Sequence, residues 1–231
     1  VGRGQARVGR DGTTVGRRWR GVSGGGAPKN WGAPAGRAGL DRAPISSAVA
    51  RMGAEASLAY GDYLTRQNAK ADRTYADLMQ ALEQTGRDRT LAAADVLNNW
   101  GLVHYLGDIR KAEPLYRRSL ELHRSIEGVD AVGPVILSNY AGVLETLGRF
   151  EEAAALYQET MRSAHERNDP RVEMDAALCL ADTYSESGRV QDAAATLAAI
   201  EPRVTGKLFV PVRRAHLHSA RGLLALARND A

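Results

Sequence analysis

The chain has 231 residues, one cysteine (Cys179) and a formal net charge of +4. A single thiol excludes an internal disulfide, and no apolar run approaches the ~20 residues that a membrane-crossing helix needs. The abundance of Ala, Leu, Arg and Glu, against two Phe, favours helix.

Residues 1–44 stand apart. They hold nine Arg or Lys against two Asp, while the remainder holds 22 basic and 25 acidic residues. The positive balance therefore belongs to the tail, and the body is slightly acidic, which removes the case for nucleic acid as the partner of the body. Half of the 24 glycines lie in this tail, and its run VGRRWRGVSGGGAPKNWGAPAGRAG has no period of a strand or a helix. Such a segment cannot bury enough apolar surface to offset the ordering of its backbone, so disorder is expected. A basic arm with Trp19 and Trp31 stacking on bases is one reading. A linker, or residues outside the native protein, is preferred, because the chain starts at Val1 and its first methionine is Met52. The start lacks the apolar core of a signal peptide, and with one cysteine and no span a cytoplasmic location is expected.

From residue 45 onward the chain repeats itself. The units fall at 46–86, 90–127, 131–168 and 170–203, with a partial fifth at 211–231. The first places Ala59 and Arg66 where later units place a small residue and a turn glycine, then Ala71 and Tyr75. The second has Gly101, Gly107, Ala112 and Tyr116. The third has Ala141, Gly148, Ala153 and Tyr157. The fourth has Ala181, Gly188, Ala193 and Leu197. The fifth begins with Gly222, and Asn229 takes the turn slot. The alanines Ala71, Ala112, Ala153 and Ala193 are spaced 41, 41 and 40.

Each unit predicts two helices around a turn. Before the turn, Leu137, Tyr140, Ala141, Leu144 and Leu147 recur at helical spacing; after it, Phe150, Ala153, Ala154 and Tyr157 do the same. The small residue allows the second helix to approach closely. The turn glycine suits the left-handed conformation that ends a helix, and Asn229 tolerates it too. Asp108 is expected to cap a second helix, and Asp169-Pro170 reads as a cap with proline at the first helical position. Two features depart from the pattern. Only six residues separate Gly101 from Gly107, where other units have seven, so that helix should tighten or end a residue early. Pro114 falls inside a second helix and should bend it.

The segment LNNWGLVHYLGDIRKAEPLYRRSLEL resembles a tetratricopeptide repeat, with the small residue, glycine, alanine and tyrosine at that family's spacing. The period of about 41 resembles the longer variety of kinesin light chains and many bacterial regulators. The resemblance covers 46–231 and is most specific over 94–200. It implies an all-α solenoid over 45–231, whose concave face binds a peptide or a partner's segment.

No catalytic constellation emerges. His104, His123, His165, His216 and His218 form no metal-ligand spacing, and His216 and His218 should point to different faces. Cys179 reads as a buried filler. No cofactor, metal or catalytic role is expected, and no membrane. By register, Asn99 and Asn139 take equivalent slots facing the groove, with Asn98, Ser138, Tyr105, Glu145, Asp182 and Glu186 nearby. Repeated asparagines suit an extended peptide, because each amide both donates and accepts. The alternative is that they bond neighbouring helices.

The expected function is a non-enzymatic protein-interaction scaffold. A second expectation is the sensor or scaffold part of a larger bacterial regulator, such as a serine/threonine kinase, a nucleotide-hydrolysing signalling protein or a transcriptional activator. A third is nucleic-acid binding through the tail. Because the chain stops at the expected turn of the fifth unit, the apolar side of 212–228 is expected to lie uncovered and to promote self-association.

Overall fold

Each apolar stripe forms a helix. The computed structural model describes residues 46–203 and 211–229, so the tail at 1–44 lies outside the described residues. Among them are nine α-helices and no strand: α1 (Ser46–Leu64), α2 (Asn68–Gln84), α3 (Leu91–Tyr105), α4 (Ile109–Glu127), α5 (Pro134–Thr146), α6 (Phe150–Glu166), α7 (Pro170–Glu186), α8 (Val190–Ile200) and α9 (Pro211–Asn229). Pairs α1/α2, α3/α4, α5/α6 and α7/α8 pack against each other, and α3, α5 and α7 each seat mainly on the preceding second helix. Successive first helices touch, whereas successive second helices meet marginally at most. The array therefore bends with its first helices on the inside.

The repeated small residue and aromatic explain the tightness of the pairs. A Cβ built on Gly101 would lie 2.6 Å from the ring of Tyr116, which is 1% exposed. Ala141 and Ala181 are fully buried in the same slot. Leu137, Leu144 and Leu178 fill the space between pairs, and burying each contributes about 1.5–3 kcal/mol.

The turns are of two kinds. Before α2, α3, α6, α7 and α8, one residue takes a positive φ: Arg66 (63°), Gly86 (67°), Gly148 (74°), Asn168 (53°) and Gly188 (76°). The next amide then reaches back five residues, as Arg149 N–H does to the Leu144 carbonyl at 2.9 Å. Gly107 differs: it is not among the positive-φ glycines, and Asp108 N–H reaches back only four residues, to His104, at 2.7 Å. The six-residue spacing is the cause. Helix α3 ends four residues after Gly101, and α5 ends five after Ala141.

Asp169 caps α7 as expected, accepting from Val172 N–H at 3.1 Å with Pro170 in the first turn. Asp108 holds the N-cap position of α4, but its side chain makes no capping hydrogen bond. The tighter turn fixes its φ at −146°. Helix α4 runs unbroken through the exposed Pro114. Helix α9 continues through Asn229, so the expected turn does not form there.

Candidate functional site

On the inner face the groove positions of each first helix recur one helical face apart. In α3 these are Asp95, Asn99 and Leu102, in α5 Val135 and Asn139, all half-buried. An amide ladder joins them. Asn139 Nδ2 donates to Asn98 Oδ1 at 3.0 Å, and Asn98 Nδ2 donates to Asn99 Oδ1 at 3.2 Å. Asn98 is 6% exposed and its amide is spent on its neighbours, which is the helix-bonding role weighed against peptide binding. Asn99 Nδ2 and Asn139 Oδ1 make no hydrogen bond to the described residues, and both residues are half-exposed. Ser138 is buried beside this ladder. Tyr105 is half-buried, its hydroxyl 3.5 Å from the Gly142 carbonyl. Burial, the largest influence, pushes its pKa up.

The fourth unit is different. Asp175, Cys179 and Asp182 take the slots of Asp95, Asn99 and Leu102, but Cys179 and Asp182 are buried, at 6% exposure each. Helix α9 lies on Asp175 and Asp182, while the Cys179 thiol is hydrogen-bonded with Tyr157 of α6. Arg213 grips Asp175 through Nε–Oδ1 at 2.5 Å and Nη2–Oδ2 at 2.8 Å. His216 Nε2 lies 2.9 Å from Asp182 Oδ2, while Asp182 Oδ1 is buried with no hydrogen-bond partner among the described residues. Glu145, from α5, completes an acidic cluster with Asp182 and the exposed Glu186. Its carboxylate accepts from Tyr157 at 2.9 Å and Thr183 at 3.0 Å. Burial outweighs these hydrogen bonds and, with the charges of Asp182 and Glu186, pushes its pKa up to about 7.

The expectation of an uncovered apolar side on α9 is corrected here. Leu217, Leu223 and Leu224 are buried, and Leu226 is the large apolar side chain left exposed, at 62%. Asp175, Arg213 and the role of His216 were absent from the sequence reading. Their signal was available only as opposite charges on two stretches 34 to 38 residues apart.

His104 and His123 have structural partners. His104 Nε2 is 2.8 Å from Asp72, to which Trp100 Nε1 also donates at 2.6 Å. Buried His123 is 2.8 Å from Glu127 and 3.6 Å from Asp95; burial, the largest influence, lowers its pKa, but the two carboxylates together prevail and raise it. His216 is buried and His218 exposed, as their spacing requires. Burial pushes the Cys179 thiol well above its ordinary value, which suppresses the thiolate that nucleophilic chemistry needs. On the outer face, α6 and α8 flank a cleft of about 460 Å³ floored by Leu180 and Tyr184. The gaps between the earlier second helices are bridged instead, by Arg118 with Glu83 and by Arg124 with Glu159.

Helix pairs stacked with their first helices inward, and a partly open polar inner face, define the class: an all-α repeat scaffold. Residues 93–206 match the tetratrico peptide repeat family. The fold is similar to that of nearly identical TPR-like repeats in a Podospora anserina protein described as a kinesin light chain. The TM-score is 0.62 at 15% identity, over 78% of this chain and 90% of that one. No curated protein matches the chain by sequence. Residues 93–206 therefore match tetratricopeptide repeats, a fold that generally serves as a scaffold for protein–protein interaction. Among the described residues no helix is long and apolar enough to cross a membrane.

Proposed function

We propose that the inner face formed by α3 and α5 binds an extended peptide segment of a partner protein, without catalysing a reaction. The observation that carries this reading is the half-exposed pair Asn99 and Asn139. One presents an unused amide donor and the other an unused acceptor, at equivalent slots of successive units. A peptide backbone offers the complementary acceptor and donor, and its alternate side chains would meet Leu102 and Leu106, the latter 70% exposed. The amide ladder holds both asparagines in place before binding, which lowers the ordering cost of association.

The test is selection of random peptides on the full chain, followed by titration of the enriched peptides against Asn99→Ala/Asn139→Ala. Two lost hydrogen bonds at about 1 kcal/mol each predict a loss of affinity of at least about tenfold. Equal affinity for the double variant, with an unchanged thermal melt, would refute the assignment.

A further inference from the structure

Helix α9 breaks the stacking rule of the array. Helices α3, α5 and α7 lie chiefly on the preceding second helix and only lightly on the preceding first helix. Helix α9 does the reverse, lying mainly on α7 and lightly on α8. Its contact with α7 falls on the face that the other units leave half-open. Asp175, Cys179 and Asp182 follow one another at i, i+4 and i+7, so they form one stripe. Arg213 and His216 of α9 sit on the first and last of these.

The contact has an apolar part, with Leu217, Ala220 and Leu224 in the core, and beside it an ionic one. Four carboxylates gather there: Asp175, Asp182, Glu145 and Glu186. Buried charges are costly unless paired, and Asp182 keeps one buried oxygen without a partner among the described residues. The stripe is thus built for cationic side chains and only partly satisfied by those of α9. The inner face of α3 and α5, by contrast, carries one carboxylate in its stripe, Asp95, among neutral amides and apolar groups.

We propose that α9 is an intramolecular occupant of the acidic end of the inner face, and that this end receives a basic amphipathic helix of a partner protein. Such a helix carries Arg or Lys, then His, Lys or Arg three residues on, then an apolar residue, which is the arrangement of Arg213, His216 and Leu217. This rests on reading the inner face as the binding surface. The tethered α9 competes at an effective concentration in the millimolar range, so the site is largely closed until a partner displaces it.

The probe is a synthetic fluorescent peptide of residues 211–229, titrated by anisotropy against full-length variants. Wild type should bind it weakly. Arg213→Ala/His216→Ala, which weakens the tethered copy, should bind it at least tenfold more tightly. Asp175→Asn/Asp182→Asn should lose that binding in the same background. A tethered-helix variant that binds the peptide no better than wild type overturns the proposal. Should that variant fail to fold, wild type is titrated at rising salt. An affinity that falls with salt and is lost in Asp175→Asn/Asp182→Asn sustains the proposal, and a salt-independent or unchanged affinity overturns it. None of these variants touches Asn99 or Asn139. Failure here therefore leaves the peptide reading of α3 and α5 standing, and failure there leaves this one.

Discussion

Helices α5 and α7 hold the same place in successive units, yet they meet different neighbours. The inner stripe of α5 carries Val135 and Asn139, half-buried and neutral. The inner stripe of α7 carries Asp175, Cys179 and Asp182, and α9 lies across it. One repeat plan thus supports two surfaces, because inner-face positions differ from unit to unit while the pair-packing slots do not. The pair-packing slots are held to small residues and aromatics, and the inner slots set what the surface can meet.

Substitutions at equivalent slots sharpen this contrast. The largest effect is expected at Gly101, where an added Cβ would lie 2.6 Å from Tyr116. Gly101→Ala should cost about 2–3 kcal/mol in urea unfolding. Gly222 has the same register but nothing within 4 Å of its Cβ position. Gly222→Ala should instead stabilise α9 by up to about 1 kcal/mol through helix propensity. Equal costs at both sites would mean that Gly222 is as tightly packed as Gly101.

Glu145 comes next. Its folded pKa, about 7, lies above the unfolded value, so its contribution to stability is full at low pH. It is lost as the pH rises from about 4.5 through about 7, because the unfolded chain releases the proton first. Glu145→Gln should therefore be more stable than wild type by about 3 kcal/mol at pH 8. The difference should vanish near pH 4.5. A stability difference that does not vary with pH would contradict the buried, partly neutral carboxyl.

Smaller effects separate two tyrosines in one slot. Tyr157 donates to Glu145, whereas the buried hydroxyl of Tyr116 has no partner among the described residues. Tyr157→Phe should cost about 1–2 kcal/mol, and Tyr116→Phe should be neutral or stabilising by about 1 kcal/mol. Least of all, Arg118→Ala should change stability by less than about 1 kcal/mol, since its pairs with Glu83 and Asp88 are largely solvated. Thermal melts of the three variants check these values.

The helix pairs and their turns were legible in the sequence because they arise from local causes. Apolar spacing, a small residue and a turn former act within one unit. Arg66 shows the rule's reach, taking φ 63° in the slot that glycine fills elsewhere. The shortened turn at Gly107 was legible as a missing residue. Asp108 was not, because whether a cap forms depends on the exact turn. The covering of α7 was not legible either. A period of 41 places α9 as the next first helix but is silent on which face of α7 it lies against. That contact joins Arg213 and His216 to Asp175 and Asp182 and buries Leu217, Ala220 and Leu224, a non-local match. Register put Asn99 and Asn139 in equivalent slots, and the structure links both to Asn98 by hydrogen bonds. Asp182 was placed by register too, but the helix above it was not foreseen.

The central claim is that α9 covers the inner stripe of α7 as a separable element. Cys179, the single cysteine, lies in that stripe between Asp175 and Asp182 and is 6% exposed. Its reaction with a thiol reagent across a urea series reads the claim directly. We predict labelling in the absence of urea through an opening that costs less free energy, and depends less on urea, than global unfolding. Labelling only through global unfolding, with the same free energy and urea dependence, would contradict it.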